Sequence, residues 1–370
     1  MILKNTDIRD LLNKVRDNKL KLVCFGAGEQ LRDACKYFAD YGFHEYIHKI
    51  IDNNPKLFMF NDFSMQCQLP ETVLEDVDKL IVYIASKSYP EMYEQLNLYS
   101  ELLKVECYIH TYVIHKPMSY TIPTSNRNAV PSIPKIIHYC WFGGKEIPSK
   151  NRKWMESWKL YCPEYEIIQW DESNYDVNKN QYMSDAYKEN KWAFVSDYAR
   201  LDIIYEYGGV YLDVDVELCK SLDPLLQNEA FCGFSSIEHV GTGLGFGALK
   251  YFPLVKIFRD YYDNISFYMA DGSLNLNDNG VHQTAVLNKF GLKHNHTVQE
   301  ICNMRIYPVD VLSPVDAYCN PVAFTSNTFA VHHYDATWFD EIDHAKRGID
   351  LHIYRDFWDT YAKHLEVSNE

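Results

Sequence analysis

The chain has 370 residues, 47% of them apolar, with 51 acidic against 36 basic residues and a formal net charge of −15. This composition allows a large buried core and two domains, and it argues against a disordered chain. The negative charge argues against non-specific nucleic-acid binding, which needs a basic surface, so no nucleic-acid partner is expected. The ten cysteines include no CxxC pair or Cys/His cluster, which predicts neither a zinc site nor a disulfide framework and fits a reducing compartment.

The chain begins with MILKNTDIRDLLNKVRDNK, a segment that predicts an amphipathic helix. Its charges interrupt any signal-peptide core, and no apolar run in the chain approaches the length needed to span a bilayer. We therefore expect a cytoplasmic protein, with contact to the inner face of the membrane left open.

Strands and helices alternate over residues 1–120, which predicts a parallel, Rossmann-like α/β domain. The pattern Gly26-x-Gly28, with Asp52 ending the next strand, resembles a dinucleotide fingerprint, but Leu31 stands at the third glycine position. We favour a tight turn that requires glycine over a functional NAD site. The segment also looks like the Rossmann-like domains that precede bacterial sugar- and methyl-transferring enzymes, which implies an accessory role.

A change of composition at residues 115–135, rich in Pro, Ser, Thr and Asn, indicates a linker, which we place at 121–133. A second and larger α/β domain is expected over 134–370. Its C-terminal helix, near residues 350–367, has an aromatic stripe that we expect to dock on the core rather than on a membrane. The predicted elements before it are a strand in PKIIHYCWFGG, a helix in NRKWMESWKLYC, a strand in YEIIQWDE and a long helical tract over 181–209.

The stretch GGVYLDVDVEL, residues 208–218, places Asp213, Asp215 and Glu217 at alternate positions of an apolar run. In a strand these carboxylates would share one face, which either water or a hard divalent cation could occupy. An isolated DxD favours the solvated strand. Upstream, Asp197 and Arg200 lie three residues apart on a predicted helix and share a face, which by itself indicates an ordinary ion pair.

Taken in order, these features resemble retaining glycosyltransferases of the GT-A nucleotide-sugar-binding fold. SDYARLDIIYEYGGVYLDVDVE matches the SDxxR…YGGxYxDxD signature of glycosyltransferase family 32. That family has a DXD sugar-binding region and includes yeast initiating α-1,6-mannosyltransferases and bacterial capsule-synthesis enzymes. The glucosyltransferase domains of large clostridial toxins share the same core. The resemblance covers roughly residues 133–340 and implies a GT-A domain preceded by the smaller Rossmann-like domain.

The resemblance also implies roles for residues that would bind the donor. Trp141, with its neighbours Phe142 and Gly143, would lie at the nucleotide, the Trp141 ring stacking on the base. Asp197 and Arg200 would hold hydroxyl groups of the donor sugar. Read without the resemblance, Trp141 is a core tryptophan.

A metal site is implied as well. Asp215 would bind Mn²⁺ or Mg²⁺ directly, and Asp213 would contact ribose or sugar and assist the metal. The segment AVHHYDATWF resembles the family's HHxxxSW, so His332 or His333 would complete the ligand set. Neighbours on a strand face opposite ways, so the sequence leaves both open, and we prefer His333.

Further candidates follow from the same resemblance. Trp338 would lie over the diphosphate, and Thr337 stands where the family has serine. Asn279, Gly280 and Gln283 lie where the family places the sugar and acceptor pocket, with Gln283 as a hydrogen-bonding group for the transferred sugar or the leaving group. A capped helix that starts after Gly280 is the competing interpretation.

The expected function is metal-dependent, retaining transfer of a sugar from a nucleotide sugar, by analogy a UDP-sugar, to a glycan or lipid-linked saccharide in bacterial surface polysaccharide synthesis. The alternatives are a catalytically weak carbohydrate- or nucleotide-binding protein and an NAD-dependent sugar-nucleotide redox enzyme that uses the GxG domain. A phosphatase of the haloacid-dehalogenase type is disfavoured, because Glu217 stands where that motif has Thr or Val. The sugar, the linkage and the oligomeric state are not indicated by the sequence.

Overall fold

The computed structural model describes residues 1–57, 65–116, 120, 122, 132–236, 238–295, 297–316, 320–335 and 351–365. Its strands form a six-stranded sheet in the N-terminal part of the chain, followed by an eight-stranded sheet and a two-stranded ribbon. The predicted mixed α/β class is confirmed, and the arrangement is consistent with a GT-A-like fold. The predicted linker, 121–133, lies almost entirely outside the described residues, so the domain boundaries stay a prediction.

The N-terminal sheet is parallel throughout, with the strand order β1-β6-β5-β2-β3-β4. Its central strands are almost wholly buried because helices cover both faces, as near-continuous apolar runs predict. The strands are β1 (Ile2–Lys4), β2 (Lys21–Phe25), β3 (Ile47–Ile51), β4 (Cys67–Gln68), β5 (Leu80–Ile84) and β6 (Glu106–Ile109). The helices are α1 (Ile8–Asp17), α2 (Glu29–Tyr37), α3 (Phe43–Tyr46), α4 (Tyr89–Asn97) and α5 (His110–Ile114).

The first residues differ from the predicted helix, because β1 precedes α1. Asp7 caps α1: its Oδ1 atom accepts hydrogen bonds from the backbone N–H groups of Arg9, at 2.8 Å, and Asp10, at 3.1 Å. An N-cap residue has non-helical backbone angles, so the helix begins after Asp7 and the residues before it pair with the sheet.

The second sheet has the order β14-β15-β11-β13-β9-β7-β8, with β12 beside β11, and the ribbon pairs β10 with β16. The strands are β7 (Ile136–Cys140), β8 (Glu166–Trp170), β9 (Gly209–Tyr211), β10 (Val216–Leu218), β11 (Ala230–Phe234), β12 (Val240–Gly241), β13 (Phe246–Ala248), β14 (Gln299–Ile301), β15 (Met304–Tyr307) and β16 (Ala330–His332). The helices are α6 (Ser149–Tyr161), α7 (Gln181–Lys188), α8 (Trp192–Tyr207), α9 (Pro253–Tyr261), α10 (Asn279–Asn288) and α11 (Val309–Leu312).

The long helical tract predicted over 181–209 is two helices, α7 and α8. Asn190 separates them with a φ of +55°, a left-handed conformation that asparagine adopts more readily than most residues. Every residue of α8 from Phe194 to Ile204 is buried, charged residues included. Such burial requires that these charges be paired or hydrogen-bonded.

The DVDVE stretch is not one continuous strand. β9 ends at Tyr211, and the N–H of Val216 then donates to the carbonyl of Asp213 at 3.0 Å, which closes a turn before β10. The predicted apolar face is confirmed, because Leu212 and Val214 are buried. The turn ends the period-two alternation, so Asp215 and Glu217 are free to face different surroundings.

The aromatic stripe of the C-terminal segment, residues 351–365, packs on the core of the N-terminal unit. The ring of Phe357 makes edge contacts with Tyr89 and Tyr93, and Trp358 contacts Tyr112. Buried apolar residues of both sheets and of this segment belong to one contacting cluster. In the described part of the chain, no helix combines the length and apolar character needed to cross a bilayer.

Candidate functional site

A cavity of about 660 Å³ opens where β7 and β9 end and the ribbon begins. Carboxyl ends of neighbouring parallel strands form the usual binding edge of α/β sheets. The wall combines the end of β7, the first half of α8, the β9–β10 turn, the loop after β12, the start of α10 and the residues that follow β16.

Arg200 lies at the centre of a buried carboxylate cluster. Its Nη2 atom is 3.2 Å from Oδ1 of Asp197 and 3.3 Å from Oδ1 of Asp213. Its guanidinium group lies 4.9 Å from the centroid of the Tyr211 ring, and the Tyr211 hydroxyl donates to Oδ1 of Asp213 at 2.9 Å. The side chains of Arg200 and Asp197 are only 2% and 5% exposed, so this is not the ordinary surface ion pair that the i,i+3 spacing alone suggests.

Burial dominates the acid–base properties of this cluster. It raises the pKa of Asp197 to about 7, against the lowering effect of the Arg200 charge. Burial also raises the pKa of Asp213, with a counteracting contribution from Arg200 and a further increase from the charge of Asp215. One guanidinium therefore serves two carboxylates, and its Nη1 atom is buried without a hydrogen-bond partner among the described residues.

Asp213, Asp215 and His332 bring one ligand atom each to within 4.8 Å of one another. Nε2 of His332 is 3.3 Å from Oδ1 of Asp215, whose Oδ2 accepts from the backbone N–H of Asp335 at 2.9 Å. Burial favours a raised pKa for Asp215, but the charge and hydrogen bond of His332 lower it to about 2. Burial by itself would lower the pKa of His332, but the charge and hydrogen bond of Asp215 outweigh burial, so the pKa of His332 is raised.

These residues fit a divalent cation. Two carboxylates and an imidazole are ligands that Mn²⁺ accepts, and the cavity beside them leaves room for substrate oxygens. The Nδ1 atom of His332 is buried without a hydrogen-bond partner in the described ranges. The attraction between Asp215 and a protonated His332 indicates a place where positive charge is favoured, and a bound cation would supply that charge in place of the proton.

The sequence-based preference for His333 is reversed by the geometry. Nε2 of His333 is 2.9 Å from Oε2 of Glu217, and its ring stacks on Trp154 with centroids 4.1 Å apart and planes 6° from parallel. His332 lines the cavity, whereas His333 faces Trp154 of α6 behind the ribbon. Glu217 faces the same way, which separates it from the other two acids of the DVDVE stretch.

Of the three predicted nucleotide residues, Trp141 and Phe142 line the cavity, with different exposures, and Gly143 does not. Trp141 is half-buried on its wall, and its Nε1–H donates to the carbonyl of Lys145 at 2.6 Å. Phe142 also lines the wall and is buried. Gly143 has a φ of +90°, and a Cβ there would lie 2.6 Å from the Trp192 ring. Glycine at position 143 therefore allows the backbone to pass close to the Trp192 ring, which a larger residue would prevent.

The predicted sugar-pocket residues separate into two groups. Asn279 and Gly280 line the cavity, and Nδ2 of Asn279 donates to Oδ1 of Asp197 at 3.3 Å. Helix α10 is capped by Asp278, whose Oδ1 accepts a hydrogen bond from the N–H of Val281. The capped helix that the sequence predicts is present, but it begins before Gly280 and includes that residue.

Gln283, in contrast, is buried beside Tyr262 and does not line the cavity wall. Because Gln283 is not among the residues that line the cavity, a direct contact with the transferred sugar is not supported. Trp338 and Thr337 lie outside the described residues.

Gly243 was missed by the sequence reasoning. A Cβ at this position would lie 2.2 Å from Oδ2 of Asp213 and 3.0 Å from Nη1 of Arg200. The glycine-rich segment GTGLGFG, residues 241–247, was the only signal, and it gave no means of choosing among its glycines. Only the fold shows which of them touches the acid cluster.

The dinucleotide alternative loses support at Asp52. Its Oδ2 accepts from the N–H of Ala27 and its Oδ1 from the N–H of Asn54, each at 2.8 Å. A Cβ on Gly26 would lie 2.4 Å from the carbonyl oxygen of Ala85. The carboxylate that would bind a ribose is thus already used by the turn, and Gly26 is required for packing.

Part of the chain that carries this site is similar to known proteins. Residues 148–232 match the family described as "Glycosyltransferase sugar-binding region containing DXD motif". The matched residues include Asp197 and Arg200 of α8, the DXD turn and β10.

Relatives include the inositol phosphoceramide mannosyltransferase 3 of Schizosaccharomyces pombe, 35% identical over 183 residues, which are 46% of this chain and 46% of the relative. An uncharacterized glycosyltransferase of Acanthamoeba polyphaga mimivirus is 29% identical over 40% of this chain and 61% of its own. Among solved structures, the PaToxG glycosyltransferase is 21% identical over 42% of this chain and 69% of its own, with a TM-score of 0.34. The chain spans about half the length of the fungal relative.

Proposed function

We propose that this protein is a metal-dependent glycosyltransferase that transfers a hexosyl group from a nucleotide sugar with retention of configuration. The observation that carries the proposal is the shared wall of one cavity, in which the Asp197–Arg200–Asp213 cluster adjoins the Asp213–Asp215–His332 cluster. A volume of about 660 Å³ lies within the range of small-molecule sites and accommodates a sugar joined to a nucleoside diphosphate.

Donor binding follows from the positions of the side chains. The half-buried ring of Trp141, on the cavity wall, offers a face for the nucleotide base. Nη1 of Arg200 supplies an unused donor beside Gly243, suited to a sugar hydroxyl oxygen. Asn279 donates to Oδ1 of Asp197, the oxygen that also contacts Arg200, so that carboxylate is fixed before the donor arrives.

Mn²⁺ or Mg²⁺ held by Asp213, Asp215 and His332 would supply Lewis-acid stabilisation of the charge that develops on the departing nucleoside diphosphate. The chain's own contribution is orientation. Arg200 and Tyr211 fix Asp213, and the N–H of Asp335 fixes Asp215. Because Asp197 and Asp213 are already bonded to Arg200, we assign no covalent nucleophile and propose attack by the acceptor hydroxyl on the face that the leaving group vacates.

The acceptor that we propose is a glycan or a lipid-linked saccharide used in the assembly of surface polysaccharide or glycolipid at the cytoplasmic side of a membrane. The similarity to fungal inositol phosphoceramide mannosyltransferases supports hexosyl transfer to a lipid-borne acceptor. They also make GDP-mannose a donor to test beside the UDP-sugars that the sequence resemblance favours.

The test is a panel of UDP- and GDP-sugars with Mn²⁺, measuring slow donor hydrolysis and the shift in melting temperature. A donor present at 100 times its Kd stabilises a protein by about 2.7 kcal/mol, so binding is readily detected. Asp215→Asn should abolish both signals for the active donor, and Asp260→Asn, an acid on α9 outside the cavity, should leave them unchanged. Absence of hydrolysis and of stabilisation with every donor would disprove the proposal.

A further inference from the structure

Helix α6 lies behind the ribbon that carries the metal-ligand candidates. Its Trp154 stacks on His333, and the same histidine is hydrogen-bonded to Glu217 of β10 at 2.9 Å. The backbone N–H of His333 also donates to the carbonyl of Asp215 at 2.9 Å. His333 is therefore held by its ring, its Nε2 atom and its backbone, on the side away from the cavity.

One turn earlier on the same face of α6, Lys150 holds Asp335. Its Nζ atom is 2.7 Å from Oδ1 of Asp335 and lies 4.9 Å from the centroid of the Trp154 ring. Asp335 in turn donates its backbone N–H to Oδ2 of Asp215. Helix α6 thus contacts two residues of the segment that follows β16, His333 and Asp335, and the backbone N–H of each is hydrogen-bonded to Asp215.

The residue between these two contacts, Tyr334, has a φ of +47°. A bulky residue rarely adopts this conformation, which persists only where surrounding contacts impose it. The Tyr334 ring faces the cavity side, 4.3 Å from the ring of His332, and its hydroxyl is 2.6 Å from Oγ of Ser313. The chain is therefore turned so that 332 and 334 face the cavity while 333 and 335 face α6.

We propose that Lys150, Trp154 and Glu217 are positioning residues that select His332 over His333 as the metal ligand, and we call them, with His333 and Asp335, the α6 clamp. This inference rests on the proposed function, in which Asp213, Asp215 and His332 hold the cation. Two adjacent histidines are chemically equivalent ligands, so a rotation of this segment would exchange them. The clamp opposes that exchange by holding His333 at a second site.

The experiment measures Mn²⁺ binding to the full chain from the electron paramagnetic resonance signal of free Mn²⁺, with no nucleotide sugar present. Trp154→Leu removes the stack and should weaken Mn²⁺ binding about 10-fold, the lower end of the usual effect for residues that orient metal ligands. Trp154→Phe keeps a ring on His333 and should restore most of the affinity. Tyr161→Leu, on the last turn of α6 outside the clamp, should bind Mn²⁺ like the unmodified chain.

Lys150→Met provides a second route to the same result, because Lys150 is largely exposed and its replacement should leave the fold intact. It should also weaken Mn²⁺ binding, by less than Trp154→Leu does. Melting curves without metal show whether each variant is folded. Unchanged Mn²⁺ affinity in folded Lys150→Met and Trp154→Leu, or equal losses in Trp154→Phe and Trp154→Leu, would overturn the clamp.

The outcomes also separate the clamp from the proposed function. Clamp-dependent Mn²⁺ binding in a protein that hydrolyses no nucleotide sugar would support the clamp and disprove the transferase. Mn²⁺-dependent donor hydrolysis with clamp-independent Mn²⁺ affinity would do the reverse. A chain that binds no Mn²⁺ at all would overturn the clamp together with the metal site.

Discussion

Replacing Gly243 with alanine tests how closely the acid cluster is fitted to the loop after β12. The added methyl group would lie 2.2 Å from Oδ2 of Asp213 and 3.0 Å from Nη1 of Arg200. The loop cannot easily retreat, because the N–H of Asp213 donates to the carbonyl of Gly243 itself at 3.1 Å. The φ of Gly243 is not positive, so alanine introduces no backbone strain and the effect is steric.

The size of the effect follows from these distances. Carbon–oxygen contacts below about 3 Å are strongly repulsive, so Asp213 must move by nearly 1 Å. That displacement stretches its bonds to Arg200 and Tyr211, which are 3.3 Å and 2.9 Å long. A misplacement of about 1 Å at a reacting site costs on the order of 100-fold in rate, and overpacking costs about 1–3 kcal/mol of the free energy of unfolding.

The assay compares kcat/KM with the active donor and the urea unfolding midpoint for Gly243→Ala and Gly241→Ala. The control is matched, because the one close approach of a Cβ on Gly241, at 2.7 Å, would be to Cδ2 at the flexible end of Leu244. We expect a loss of about 100-fold in kcat/KM for the first variant and a small change for the second. Equal kcat/KM values for the two variants would refute the argument that Gly243 sets the position of Asp213.

Three further predictions concern stability. Burial raises the pKa of Asp197 from 3.8 to about 7, so the stability that the protonated side chain contributes below pH 4 is lost as the pH rises through 7. Asp197→Asn should therefore become more stable than the unmodified chain over that range, by up to about 4 kcal/mol. A difference in unfolding free energy that does not change with pH would contradict this. Asp52→Ala leaves two N–H groups without their acceptor and should lower the free energy of unfolding, measured with urea, by about 2 kcal/mol. NAD should not shift the melting temperature of the unmodified chain. An NAD-induced shift that Asp52→Ala removes would restore the redox alternative. Phe357→Ala should cost about 3–5 kcal/mol of the free energy of unfolding, because its ring packs against Tyr89 and Tyr93. A loss below about 1 kcal/mol in that free energy, measured by urea unfolding, would show that the C-terminal segment is not docked there.

Much of the fold and of the site could be predicted from local patterns. Alternating strands and helices predicted the α/β class because the apolar period depends only on neighbouring residues. The i,i+3 spacing of Asp197 and Arg200 on α8 placed both on one helix face, and the structure joins them at 3.2 Å. The DXD pair was recognised as a possible cation site because alternate residues of a strand share a face, and the family resemblance favoured that interpretation over a solvated strand.

Local patterns were insufficient where the chain changes direction. The turn closed between Asp213 and Val216 divides the DVDVE stretch and turns Glu217 away from Asp215, a consequence of pairing β10 with the distant β16. Gln283 lies on the correct helix, but the way α10 packs buries it beside Tyr262. Neither outcome is encoded in the residues next to these positions.

The sequence by itself determined which residue types lie along the chain in strands, helices and the acidic turn, because these depend on spacing and on backbone preferences within a few residues. The tertiary structure alone decided that His332 faces Asp215 while His333 stacks on Trp154. The direction of a side chain after a strand end depends on what packs against it, and here the packing partner is a helix from a remote part of the chain. A pair of adjacent histidines therefore stays ambiguous until α6 is in place.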